Sequence, residues 1–445
     1  MTGSKIEPRA SSLMPAFGET QATWWRIGFL SFGGPAGQIA LMHRVLVEEK
    51  KWLSERQFLN ALNFCMLLPG PEAMQLATYA GWLLHGVRGG LAAGLAFVLP
   101  GAAVILALAL AYAAFGDLAW VSAVFLGIKA AVLIIVVQAL RSVAGRALRR
   151  PVHWMIAAMA FGGLFFLGVP FPLVVLGAAF AGYALLRGDA AQMAVKAEDV
   201  TQADVPAVHL ADTLRTVVTW AAIWLVPLLG LVVALGPDHL LSQAALFFSK
   251  LAVVTFGGAY AVLAYMAQEV VEGYRWLSAG EMLDSLGLAE TTPGPLILVT
   301  QFVGTLAAAR DAGGLSLPMA LAGSLVTLWA TFAPCFLWIF AGAPHIERAG
   351  RAIWLSAALA GVTAAVVGVI ANLSLWFAMQ VIFTEVRQVA AGPFTIFLPT
   401  WETLDPVALA LTAIAAALML WRGAGVLITL AVCALCAGLW WLALV

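Results

Sequence analysis

In a sequence this apolar, the side chains able to do chemistry are the few charged and amide groups set inside hydrophobic runs. Arg26 stands six residues before Phe32-Gly33-Gly34, and Lys250 stands six residues before Phe256-Gly257-Gly258. Lys129 has ten or more uncharged residues on each side. Gln38 follows Gly33-Gly34-Pro35, Glu72 and Gln75 follow Pro69-Gly70-Pro71, and Glu290 precedes Pro293-Gly294-Pro295. A charge at membrane depth is costly, so each of these is a functional candidate. Pro lacks an N–H and Gly costs backbone entropy, so the Gly-Gly-Pro and Pro-Gly-Pro stretches interrupt helices. A helix restarting after Pro71 or Pro295 aims unpaired N–H groups and the positive end of its dipole into the interior. Glycines at the breaks permit close backbone approach. Cations, free N–H groups and small residues together make an anion site. Its candidate contacts are Arg26, Gly33, Gly34, Gln38, Gly70, Glu72, Gln75, Lys129, Lys250, Gly257, Gly258 and Gly294. Glu72 and Glu290 have two open readings, as proton carriers or as counter-ions of the cations. Arg26 and Lys250 also admit a reading as interfacial side chains that snorkel.

The elements that must position these groups are membrane helices. The 445 residues are 63% hydrophobic and only 10% charged, more apolar than a soluble domain needs. Seventeen Trp and 42 Gly fit interfacial aromatics and close helix packing. Zero net charge gives a nucleic-acid partner no support. The polar first twenty residues lack the apolar core of a cleavable signal peptide. Cys65, Cys335, Cys433 and Cys436 lie in apolar runs, and the Cys-x-x-Cys pair Cys433 and Cys436 has no acidic residue or His close by. They read as packing residues, and no metal or cofactor is expected.

Apolar segments run over about 24–47, 58–84, 89–115, 118–140 and 152–186, the first two broken at the Gly and Pro motifs and the last at Pro170-Phe171-Pro172. The polar stretch 187–215 reads as a solvated linker, helical in part, and 217–235 as an extra span. The pattern then returns. A shift of 224 brings Phe32-Gly33-Gly34 onto Phe256-Gly257-Gly258, Trp52-Leu53-Ser54 onto Trp276-Leu277-Ser278 and Pro69-Gly70-Pro71 onto Pro293-Gly294-Pro295. A shift of 234 then brings Pro100 onto Pro334, Lys129 onto Thr363 and Gln138 onto Asn372. The last pair reads first as interhelical hydrogen-bonding amides. The domain plan is a polar tail (1–20), a first repeat (21–186), a cytoplasmic linker (187–215), a connecting transmembrane helix (216–236) and a second repeat (237–445).

Lys and Arg favour cytoplasmic loops. The turn bearing Arg44, Lys50, Lys51 and Arg56 and the loop bearing Arg141, Arg146, Arg149 and Arg150 are both basic. Both lie inside if the first two segments are re-entrant hairpins. Each hairpin arm is roughly twelve residues, about 18 Å of helix, which suits half the membrane depth. The equivalent turn of the second copy carries Glu269, Glu272, Glu281 and Asp284 against Arg275, and falls outside. The expected fold is therefore an all-α polytopic membrane protein of two antiparallel, inverted-topology homologous repeats with broken, re-entrant helices. Thirteen simple crossings also invert the copies but fit the first basic turn less well.

Phe32-Gly33-Gly34-Pro35-Ala36-Gly37-Gln38-Ile39, Leu68-Pro69-Gly70-Pro71-Glu72-Ala73, Tyr79-Ala80-Gly81-Trp82, Phe256-Gly257-Gly258-Ala259-Tyr260 and Thr292-Pro293-Gly294-Pro295 resemble the chromate ion transporter family. The resemblance spans both halves, as in that family's long two-domain form. It implies a secondary transporter, not an enzyme, in a bacterial inner membrane with a cytoplasmic N-terminus, exporting chromate and giving resistance. Where the family usually has Lys before the first Phe-Gly-Gly, this chain has Arg26, which keeps the charge and changes the donor geometry. A dianion leaving an inside-negative cell gains about 4.6 kcal/mol per 100 mV, so export needs no ATP. No Walker-type phosphate loop is present in the sequence. Proton or anion exchange through Glu72 or Glu290 stays open as a further drive. The expected partners are chromate, with sulfate as a competitor, and the lipid bilayer, with a homodimer left open. A carrier of sulfate or another oxyanion is the alternative function, and an intramembrane chromate reductase the more remote one.

Overall fold

The computed structural model describes residues 15–32, 34–116, 118–198, 210–254, 256, 259–311, 315–345, 353–392 and 394–444. Gly33, Gly257 and Gly258 lie outside the described residues. The first half consists of α1 (Phe17–Leu30), α2 (Gly34–His43), α3 (Glu55–Leu67), α4 (Glu72–Phe115), α5 (Ala119–Ala147), α6 (Pro151–Leu167) and α7 (Phe171–Glu198). After α8 (Leu210–Leu235) come α9 (Leu240–Val254), α10 (Ala259–Gln268), α11 (Ala279–Thr291), α12 (Val299–Asp311), α13 (Leu317–Gly342) and α14 (Ile353–Ile382). The chain closes with α15 (Pro406–Ala416) and α16 (Val426–Leu444). Seven of the described helices are long and apolar enough to cross a membrane, so this is a multi-pass membrane protein.

Local sequence explains where the helices stop, and the stops recur. Ser54 caps α3 and Ser278 caps α11, each in a reciprocal box with Gln57 or Glu281. Shifted by 224, the limits of α3 become those of α11. Lys51 (φ 53°) and Arg275 (φ 57°), the two non-glycine residues with positive φ among those described, are related by the same shift. Gly70 (φ 114°) and Gly294 (φ 89°) form a third such pair.

The breaks turn the chain back on itself. Phe64 and Tyr79 flank the 68–71 break, yet their ring centroids are 5.9 Å apart. A straight helix would separate residues fifteen apart by about 22 Å. Likewise Lys50 Nζ lies 2.7 Å from Glu19 Oε1, across the break that begins at Ser31. A second reversal lies inside α4, where His85 (φ −142°) and Gly86 (φ 61°) leave helical geometry. Arms 72–84 and 87–115 then lie antiparallel in close contact. A Cβ on Gly81 would stand 2.6 Å from Ala93 Cβ, and one on Gly90 would stand 3.0 Å from the Thr78 carbonyl. Gly304 and Gly323 join α12 to α13 in the same way. Glycines also bring the halves together, with Gly101 against the Pro293 carbonyl and Gly182 against Gly361.

One element, a short β-hairpin, is not foreseen from the sequence. Among the described residues the fold is all-helical apart from one short addition, β1 (Val386–Ala391) and β2 (Phe394–Pro399), which pair as an antiparallel hairpin. The polar stretch 187–215 is helical at its two ends, where α7 continues to Glu198 and α8 begins at Leu210. The four cysteines are free, and Gly127 packs on the backbone of Cys433.

Gly81→Leu is expected to destabilise the protein by about 1–3 kcal/mol through overpacking. Gly145→Leu, with nothing within 4 Å of its added Cβ, should leave stability unchanged or higher. Thermal unfolding of the two variants in the same detergent checks this contrast.

Candidate functional site

The helix breaks of the two halves are bonded to one another. The Gly294 N–H donates to the Ser31 carbonyl at 2.9 Å. Gln38 Nε2 donates to the Gly294 carbonyl at 2.6 Å and to the Ser31 carbonyl at 3.4 Å. In the first half, Gln75 Nε2 donates to the Pro69 carbonyl at 2.6 Å. Both glutamines are buried. Their work in this arrangement is to hold broken backbone in place, which the apolar interior cannot otherwise satisfy.

Beside these bonds lies a cavity of about 460 Å³. First-turn residues of three helices line it: Gly34, Pro35 and Ala36 of α2, Glu72 of α4, and Tyr260 of α10. Such first turns carry N–H groups without intrahelical partners and the positive end of the helix dipole. Glu290, near the C-terminal end of α11, adds a buried carboxyl whose Oε1 accepts from Tyr260 Oη at 2.7 Å. Gln138 of α5 and Thr363 of α14 add neutral polar groups. Arg146, also lining the cavity, is exposed, and its Nε donates to the Ser142 carbonyl at 3.3 Å. The rest of the wall includes Ile135, Ile370 and Met66.

Of the residues singled out from sequence, Gly34, Gly70, Glu72 and Glu290 meet at this cavity, and Gln38, Gln75 and Gly294 brace it. The three cations are not brought there. Arg26 is more than half exposed and pairs with Glu49 at 3.5 Å. Lys250 is exposed, with Nζ 5.5 Å from the centre of the Tyr265 ring. Lys129 Nζ lies 3.3 Å from Asp284 Oδ2, which also accepts from Tyr112 Oη at 2.7 Å. Asp284 therefore does not sit with the solvated acids of its turn: it is 3% exposed, and its Oδ1 is buried without a partner. Gln138, expected to bond between helices, lines the cavity instead. Sequence reasoning treated Arg146 as a loop charge. Its one available signal was the four-residue spacing from Gln138 to Ser142 and again to Arg146, which puts all three on one helix face.

A family model described as chromate transporter matches residues 19–183 and again 242–439. The chain belongs to the chromate transporter family. Members of this family are transporters rather than enzymes. The chain is 31% identical over 363 residues to a "Probable chromate transport protein" of Synechococcus elongatus, covering 80% of this chain and 84% of that one. It is 32% identical over 375 residues to a "Chromate transport protein" of Pseudomonas aeruginosa, 83% of each chain. A protein of the same description from Cupriavidus metallidurans is 30% identical over 346 residues, 78% of each. No solved structure matches the chain.

If Lys129 is the partner of a buried carboxylate, removing it alone strands Asp284. Lys129→Gln is then expected to cost about 3 kcal/mol or less, given that the lysine is partly exposed. Adding Asp284→Asn to Lys129→Gln should recover most of that loss. Unfolding midpoints of the single and double variants decide, and equal destabilisation in both would refute the pairing role.

Proposed function

We propose that this chain exports chromate through the cavity at the helix breaks. The observation that carries the reading is the convergence of three helix N-termini, with Arg146, on one cavity. That set suits a small oxyanion in neutral polar surroundings. The two halves act as inverted repeats whose hairpins re-enter from opposite faces, and the cavity opens to the cytoplasm on its Arg146 side. Support comes from the basic first turn and the acidic second one, from the hairpin reversals, and from a family model that matches each half. The N-terminus is cytoplasmic in this topology, and the membrane is the inner one.

Glu72 and Glu290 constrain the form of the substrate. A fully ionised dianion facing two carboxylates meets like charge in a low dielectric. Chromate takes up a proton near neutral pH, whereas sulfate stays fully ionised. A protonated oxyanion can donate to the oxygen of Glu290 that Tyr260 leaves free. The carboxyl groups then act as a filter against sulfate, and the transported species carries one negative charge. Its export gains about 2.3 kcal/mol per 100 mV, half that of the dianion.

Chromate uptake into everted vesicles, with potential and pH gradient clamped separately, tests this. Uptake should follow an inside-positive potential at zero pH gradient and resist excess sulfate. Arg146→Gln should weaken apparent affinity about tenfold or more through loss of a charge-assisted contact. Glu290→Gln should let sulfate compete. Uptake driven at zero potential by an acid-inside pH gradient would replace potential-driven export with proton exchange, and sulfate competition in the unaltered protein would favour a general oxyanion carrier.

A further inference from the structure

A second, smaller cavity of about 90 Å³ lies among α6, α10, α14 and the β-hairpin. Its position is not arbitrary. Asn372, Leu373 and Trp376 of α14 line it, and they are the 234-shift counterparts of Gln138, Ala139 and Ser142 of α5, which line the large cavity. The equivalent faces of equivalent helices thus border the two cavities, one about 460 Å³ and the other about 90 Å³. In a duplicated chain, a feature that is open in one copy and shut in the other marks two states of one design.

We propose that the small cavity is the opposite vestibule of the same transport path, shut in this conformation, and that it receives the same class of ligand, a small oxyanion. This rests on the transport reading above. Asn372 takes the place that Gln138 holds in the large cavity, and Gln268 of α10 supplies a second amide. Gln388 of β1 and Phe397 of β2 cover the cavity, and the Phe397 ring lies 6.3 Å from that of Phe165. The β-hairpin is thereby its lid, a part with no counterpart in the helical pattern of the first copy. Glu272 lies at this cavity as Glu72 and Glu290 lie at the other, so each vestibule pairs amide groups with carboxyl groups. Opening requires α14 and the hairpin to part from α6 and α10, with the large cavity closing in turn.

Cysteine labelling tests this with the full-length protein in sealed vesicles of both orientations. Ala139→Cys reports the large cavity, and Leu373→Cys and Ala267→Cys report the small one. A membrane-impermeant thiol reagent is applied, and modification is read site by site by mass spectrometry, because native Cys65 also lines the large cavity. Ala139→Cys should label from one face. Leu373→Cys or Ala267→Cys should label from the other face only, several-fold faster when chromate is present. Phe397→Ala should raise that rate without chromate, as loss of the lid requires. Labelling of the small-cavity positions from the same face as Ala139→Cys overturns the proposal. So does no labelling of either position at any chromate concentration, in vesicles where the unaltered chain transports. Failure of the unaltered chain to transport chromate, with labelling still split between the two faces, would instead count against chromate as the substrate and leave the two-vestibule path standing.

Discussion

Broken helices inside a membrane leave backbone N–H and carbonyl groups that lipid cannot satisfy, and this requirement governs the rest of the molecule. The chain meets it by crossing the break of one half with the break of the other. Ser31, Gln38 and Gly294 form that junction through three hydrogen bonds. Two of these bonds link the halves, Gly294 N–H to the Ser31 carbonyl and Gln38 to the Gly294 carbonyl, while Gln38 to the Ser31 carbonyl stays within the first, so the break of each half is tied to that of the other. Gly294 must be glycine there, since its φ of 89° is disfavoured for other residues and a Cβ would stand 3.1 Å from Leu298 Cδ1. Satisfying the breaks in this way leaves the first turns of α2, α4 and α10 directed at one cavity.

Charge is handled by the same economy of partners. The ion pair of the partly exposed Lys129 with the buried Asp284 joins α5 of the first half to α11 of the second. Tyr112 holds the same carboxylate oxygen from α4. Further along α11, Glu290 meets Tyr260 at the cavity, and further along α5, Arg146 stands at its edge. A second buried polar set lies at α12, where Gln301 donates to the Ala102 carbonyl of α4 and to Ser324 of α13. In such surroundings a cation is neutral in effect once a carboxylate binds it, which separates Lys129 from the cavity chemistry.

Much of this was legible in the sequence, for definite reasons. Gly-Gly-Pro and Pro-Gly-Pro act locally, so the breaks and the paired glycines and carboxyls around them could be read directly. The duplication was legible because turn residues such as Gly70 and Gly294 hold their places under a fixed shift. Ion-pair partners were not legible. Asp284 sits 155 positions from Lys129 and within an acidic turn, so nothing local distinguishes it from solvated neighbours. Arg26 and Lys250 hold equivalent places under the repeat, and the structure sets each on an exposed helix face rather than at the large cavity. The β-hairpin escaped because Val386–Pro399 lacks a first-copy partner and lies between long apolar spans.

The most direct measurement is the position of the bound metal atom in the protein soaked with chromate, found by anomalous scattering at the chromium edge. The account predicts a single strong peak in the large cavity, beside Gly34, Glu72 and Tyr260 and away from Lys129. A peak at Arg26 or Lys250, with the large cavity empty, would contradict it and return the site to the paired cations.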